Sequence, residues 1–191
     1  MPDLFDGISD IRDMIMSRNS STVMIGIHVR KGDSSFSANL TTNTTIKLPS
    51  HFRCAESLEK KFLSSYDDTK RFIWYLLSDS PTVRVQAKKL YGSKLMTSFD
   101  NIEHTSNGLH ECDSLKTRCA VSEQGFRRAA AEWWLFGHMD FFIIGENTGY
   151  GKSAAMRSLR AKSIFMVSDN NDCAPDKYTP VNEMAGQWSG L

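Results

Sequence analysis

The chain lacks any long hydrophobic run. None of its apolar stretches reaches the ~20 residues that a membrane-crossing helix needs. Its first residues, Met1-Pro2-Asp3-Leu4-Phe5-Asp6, carry neither the basic cluster nor the apolar stretch of a signal peptide. Net charge is also nearly absent: 23 Lys and Arg against 22 Asp and Glu leave +1. That excludes a bulk positive field to draw in nucleic acid or a membrane surface, so any anion site must be local. Cysteine is sparse, with only Cys54, Cys112, Cys119 and Cys173 and no CxxC pair, which argues against a zinc ribbon. Cys112 and Cys119 are close enough in sequence to close a loop by a disulfide. Three glycosylation triplets are present, Asn19-Ser20-Ser21, Asn39-Leu40-Thr41 and Asn43-Thr44-Thr45. Such triplets also occur by chance in cytosolic proteins, and the cysteines are equally compatible with thiols, so the residues leave the compartment open.

What is present is enough for one sizeable core: 191 residues, 40% apolar and 24% charged. Apolar side chains at Leu4, Ile8, Ile11 and Ile15 have helical spacing and predict a helical segment within 1–21. A strand follows from Thr22 to Val29. Ser34 to Ser50 reads as a Ser/Thr/Asn loop and His51 to Ser64 as a helix. Arg71 to Leu77 reads as the second strand. Pro81 suits the first turn of the next helix, with Ser80 or Asp79 as its cap and Gly92 near its end. Lys94 to Ser98 predicts a short third strand, and Asp100 to Arg118 a polar loop. A helix over about Val121 to Met139 leads into the fourth strand, Phe141 to Gly145, which has no polar alternation and so reads as covered on both faces. Glu146 to Gly151 reads as a turn, Lys152 to Lys162 as a helix and Ser163 to Val167 as the fifth strand. Strands alternating with helices predict an α/β fold with a Rossmann-like parallel sheet over 22–168, followed by an irregular tail over 169–191.

Two loops carry chemistry in this arrangement. The first strand ends at His28-Val29-Arg30-Lys31-Gly32-Asp33. In an open α/β sheet, ligands bind in the crevice beyond the carboxyl ends of the strands. An imidazole, a guanidinium and a carboxylate delivered there suit an anion, and the planar fork of Arg30 matches phosphate oxygens. The second loop is Asn147-Thr148-Gly149-Tyr150-Gly151-Lys152-Ser153, between a strand and a helix. Small residues admit close backbone approach, and helix N-terminal N–H groups attract phosphate. The plainer alternative is a turn that needs glycine for positive φ. A third element is the helix bearing Glu132. Its plainer alternative is a solvated carboxylate paired with Arg128 four residues away.

A nucleotide-triphosphatase reading competes at the second loop. Gly145 to Ser153 nearly spells GxxxxGK[ST], but Glu146 stands where the first glycine belongs.

In order and spacing, His28-x-Arg30-x-Gly32-Asp33, then Ala131-Glu132-Trp133 to Asp140, then Asn147-Thr148-Gly149-Tyr150-Gly151, resembles the fucosyltransferase superfamily. The likeness extends to the α1,6, α1,2, protein O- and plant xyloglucan fucosyltransferases and covers about Val23 to Val167. It implies one lobe, the donor-binding one, of a GT-B glycosyltransferase that transfers fucose from GDP-fucose to a glycan or glycoprotein hydroxyl with inversion. It implies that Arg30 binds the β-phosphate and is the catalytic group, with His28 packing near the nucleotide. Lys31 keeps a charge where some members have a second arginine, and Asp33 holds the loop. Glu132 accepts from the guanine edge, and Asn147, Thr148 and Gly149, with Tyr150 beside them, line the phosphates. Asp79 matches an acidic turn of structural role. The resemblance implies no metal or cofactor beyond the nucleotide sugar, no nucleic-acid partner, residence in the Golgi or secretory lumen, and membrane association only through a segment absent here. Two departures stand out. Ala38 occupies the place of the catalytic glutamate of the α1,6 enzymes, and the acceptor lobe has no counterpart. They leave a non-catalytic GDP-sugar-binding relative or fragment as the alternative.

Overall fold

A computed structural model describes residues 4–31, 48–65, 70–99, 123–146, 148–160, 162–168, 173 and 177–180. The order of elements is α1 (Ser9–Met16), β1 (Thr22–Val29), α2 (Ser50–Ser65), β2 (Arg71–Ser78), α3 (Pro81–Tyr91), β3 (Leu95–Met96), α4 (Glu123–Phe136), β4 (Phe141–Gly145), α5 (Gly149–Arg157) and β5 (Ile164–Val167). The strands form one all-parallel sheet in the order β3-β2-β1-β4-β5, the Rossmann-like arrangement expected.

The sheet is covered on both faces, which is why its strands read as unbroken apolar runs. Met24, Ile73, Tyr75, Phe142 and Ile144 point to one face, where Ile15 of α1 and its N-cap residue Ile8, Leu135 and Phe136 of α4, and Ala154 and Ala155 of α5 pack on them. Ile25, Ile27, Trp74, Leu76, Ile143 and Phe165 point to the other, against Phe52, Ala55 and Leu58 of α2 and Val83 and Ala87 of α3. Chain order runs outward from β1 through β2 to β3, then returns to β4 on the other side of β1. The strand order therefore reverses between β1 and β4.

Local chemistry sets the boundaries. Ser80 caps α3, its Oγ accepting from Val83 N at 3.4 Å, with Pro81 in the first turn, and Gly92 ends the helix at φ +56°. β3 is shorter than expected because Gly92–Lys94 forms a 3-10 turn. Beyond it Thr97 leaves the ladder and donates its hydroxyl to Leu76 O at 2.9 Å. α4 stops at Phe136, short of Met139, where His138 N and Met139 N donate three residues back, to Leu135 O at 3.0 Å and Phe136 O at 3.2 Å, and the chain leaves the α-helical ladder. α5 begins at Gly149 and ends at Arg157, so Gly149 to Gly151 are helix rather than turn.

Asp140 ties the amino ends of the central strands. Its carboxylate accepts from Met24 N at 2.9 Å and from both Arg18 Nη atoms at 3.1 and 3.2 Å, and Arg160 also binds it. Cys54 of α2 is disulfide-bonded to Cys173 across 119 residues. Thr179 donates its N–H to Ile164 O at 2.7 Å, so part of the irregular tail lies along β5. Among the described residues no helix is long and apolar enough to cross a membrane. Cys112 and Cys119, the triplets at Asn39 and Asn43, Ala38, Asp33, Asn147 and the loop over 100–118 lie outside the described residues.

Candidate functional site

The reversal of strand order sets the geometry of the site. His28 on β1 is in register with Ile144 on β4, so the two chains leave the sheet side by side at their carboxyl ends. Arg30 and Lys31 follow β1; Glu146, Thr148 and α5 follow β4. A crevice at such a point is the general ligand-binding place of open α/β sheets. The structure therefore brings Arg30 and Thr148, 118 positions apart in the numbering, to the ends of neighbouring strands.

Arg30 and Lys31 are exposed. The loop they open is fastened at Lys31, whose N–H donates to Asp79 Oδ1 at 2.8 Å, so Asp79 ties this loop to the end of β2. Across the crevice Thr148 is 5% exposed and extended, at φ −133° and ψ 101°, as an N-cap residue is. Its hydroxyl donates back to Gly145 O at 3.1 Å, and its side chain makes no capping bond to α5. The amide N–H groups of the first helical turn thus have no intrahelical acceptor and no cap from Thr148, the condition under which a helix N-terminus attracts an anion.

The two glycines of this turn have different physical reasons. Neither has positive φ, so the alternative of a turn that needs glycine for its backbone conformation does not hold. Gly151 is required by contact: a β-carbon there would lie 2.5 Å from His28 Nδ1 and 3.0 Å from Ile144 Cγ2. Gly149 meets nothing, since a β-carbon there would have no described atom within 4 Å. The packing of the described residues does not demand glycine at 149.

His28 is buried, at 6% exposure, between the rings of Tyr150 at 5.7 Å and Phe136 at 6.3 Å. Its Nδ1 has no hydrogen-bond partner among the described residues. Burial, with smaller contributions from the charges of His51, Arg30 and Arg84, pushes its pKa down to about 3, so the imidazole is neutral. Tyr150 supplies the ring that holds it. The Tyr150 hydroxyl donates to Ala129 O on α4, and burial raises its pKa. That hydroxyl is committed to helix packing, and the residue meets the crevice through its backbone.

Glu132 is neither solvated nor gripped chiefly from its own helix. It is 4% exposed, and Arg84 of α3 binds it with both Nη atoms, at 3.0 and 3.1 Å. Ser98 also donates to Oε1. These bonds take three of a carboxylate's roughly four lone-pair positions. Arg84 in turn donates through Nε to Ser78 O at 2.7 Å and through Nη1 to Ser98 O at 2.8 Å, joining β2, the segment after β3 and α4. Beside this network lies the Tyr75 hydroxyl, whose pKa burial and Glu132 push well up.

Arg84, Ser98, Tyr75 and His51 escaped the sequence reading. Arg84 carried a usable signal, a lone arginine among Val83 and Ala87 on the inward side of α3. His51 carried none. It starts α2 in the crevice region, 7% exposed, with Nε2 3.4 Å from the β-carbon position of Gly145. Lys152 lies in the second turn of α5 at 3% exposure, where burial lowers its pKa and Glu146 opposes the shift. Among the described residues no group of three His, Cys, Asp or Glu side chains is placed to hold a metal ion. No protein-family model and no curated protein sequence matches the chain.

Proposed function

We propose that the chain is a nucleotide-sugar-binding lobe of an inverting, fucosyltransferase-like glycosyltransferase, holding GDP-fucose by its diphosphate. The observation that supports this reading is that Arg30 and the first turn of α5, which Thr148 does not cap, follow neighbouring parallel strands where the strand order reverses. Fixed N–H dipoles and a guanidinium on two sides of one crevice match a diphosphate, an anion with oxygens in several directions.

The chemistry follows from that placement. The bond between the fucose anomeric carbon and the β-phosphate oxygen breaks, and its electron pair leaves with GDP. Charge grows on the diphosphate as the sugar becomes cationic. Arg30 and the N–H groups of Gly149 and Tyr150 stabilise that growing charge. An acceptor hydroxyl forms the new carbon–oxygen bond from the opposite face, inverting the centre, and its proton passes to a base or to water. Neutral His28 supports the wall of the crevice and contributes no charge to holding the diphosphate. Glu132 holds Arg84 and α4 in place, and any contact with a guanine edge is confined to its remaining lone-pair position. The Cys54–Cys173 disulfide and the Asn19 triplet support maturation in the secretory lumen, and the acceptor is a glycan or glycoprotein.

Calorimetric titration with GDP, GDP-fucose and ATP, each with and without magnesium, tests the reading. It expects GDP and GDP-fucose to bind in both conditions, and Arg30→Ala to weaken them about ten- to a hundredfold, the worth of a charge-assisted contact. Magnesium-dependent ATP binding that is lost in Lys152→Ala would replace this reading with the triphosphatase one. Fucose transfer to an acceptor glycan separates an enzyme from a binding module.

A further inference from the structure

We propose that Asn19 is an N-glycosylation site, carrying an oligosaccharide on its Nδ2 at the end of the sheet remote from the nucleotide crevice. Asn19-Ser20-Ser21 forms the exposed turn that enters β1, with Asn19 O accepting from Thr22 N at 3.1 Å. The turn is tied down on its far side: Ser20 O accepts from Lys70 Nζ at 2.8 Å and Ser21 O from Arg71 N at 2.9 Å.

The two atoms of the Asn19 amide have separate duties. Oδ1 accepts from Ser21 N at 3.2 Å, Ser21 Oγ at 2.7 Å and Thr22 Oγ1 at 3.0 Å. Nδ2 makes no hydrogen bond to a described residue. The nitrogen is the atom that receives a glycan, and the carbonyl survives the substitution. All three bonds that build the turn therefore persist in the modified protein. In the reaction the amide nitrogen attacks the anomeric carbon of a lipid-linked oligosaccharyl diphosphate. A nitrogen–carbon bond forms, the carbon–oxygen bond to the diphosphate breaks, the lipid diphosphate departs with the electron pair, and the nitrogen loses one proton.

Two further observations agree. The disulfide between Cys54 and Cys173 is a bond that persists in oxidising compartments, where this modification is made. Strand β1 also separates the turn from Arg30 by roughly 23 Å at ~3.3 Å per residue, so a glycan at Asn19 leaves the crevice open.

The test is peptide mapping of the protein recovered from the cells that make it, after enzymatic deglycosylation in heavy-oxygen water. The peptide containing Asn19 should show conversion to heavy-labelled aspartate. Ser21→Thr should keep the modification, whereas Asn19→Asp and Ser21→Ala should abolish it. Asn19→Asp retains an acceptor oxygen and should leave the thermal midpoint of the unglycosylated protein and its GDP affinity unchanged. An Asn19 peptide with no mass change in folded protein overturns the proposal. Failure of GDP binding with Asn19 occupied would overturn only the nucleotide-sugar reading.

Discussion

The imidazole of His28 stands where a side chain on residue 151 would begin: its Nδ1 is 2.5 Å from the β-carbon position of Gly151. This contact sets how closely the first turn of α5 can approach the end of β1, and so the width of the crevice. Gly151→Ala should cost about 1–3 kcal/mol through overpacking, seen as a lowered thermal midpoint. Gly149→Ala should not lower the midpoint, because alanine is the better helix former by up to about 1 kcal/mol and its methyl group meets no described atom. The same substitution should weaken GDP binding, because the methyl group fills the space a phosphate needs.

The Arg84–Glu132 pair should behave as a buried unit. Removing one partner strands the other charge, so Arg84→Ala should lose about 3–5 kcal/mol in urea unfolding. The double variant Arg84→Met with Glu132→Leu, which leaves no charge behind, should recover most of that loss. Equal losses in the single and double variants would show that the pair is not a coupled unit.

Stability should fall in mild acid because of His28. Its pKa is about 3 in the folded chain against 6.5 unfolded, so between those values only the unfolded chain takes up the proton. Stability is full above pH 6.5 and declines as the pH falls through that window, by up to about 1.4 kcal/mol per pH unit for one proton. His28→Leu removes this titration and also an imidazole nitrogen with no described partner. Unfolding free energies measured from pH 7 to 4 should therefore fall less steeply in the variant. Parallel slopes would contradict the buried, neutral imidazole.

The disulfide should contribute strongly to stability. Cross-linking Cys54 to Cys173 closes a loop of 119 positions, worth about 4–5 kcal/mol in the chain-entropy account. Cys54→Ala with Cys173→Ala should show that loss in denaturant under oxidising conditions. Little difference should remain between variant and wild type once the wild type is reduced.

The parts legible in the sequence were those that local pattern determines. Unbroken apolar runs marked β1, β2 and β4, and Ser80-Pro81 with Gly92 marked both ends of α3. That Arg30 and Thr148 follow neighbouring strands is not contained in local pattern, because it depends on β4 returning to the far side of β1, which the chain order of the elements does not dictate. What failed was set by distant contacts. Gly151 was read as a turn residue because its reason, His28, lies 123 positions away in the numbering. Helical spacing offers Glu132 only Arg128 as a partner and cannot reveal Arg84, 48 residues distant. Sequence nearness likewise suggests Cys112 with Cys119 and cannot suggest Cys54 with Cys173, 119 positions apart. Thr97 and Ser98 looked like strand residues, but their hydroxyls bond to Leu76 O and Glu132 and take the chain out of the ladder.

Backbone amide resonances followed during a GDP titration test the central claim most directly. The account predicts that the N–H signals of Gly149 and Tyr150 shift together with those of Arg30 and Lys31, at one shared midpoint, and that guanosine without phosphate leaves both sets in place. In Arg30→Ala both sets should saturate at much higher GDP. Shifts confined to one loop, or two loops saturating at unrelated concentrations, would contradict a single diphosphate held between them.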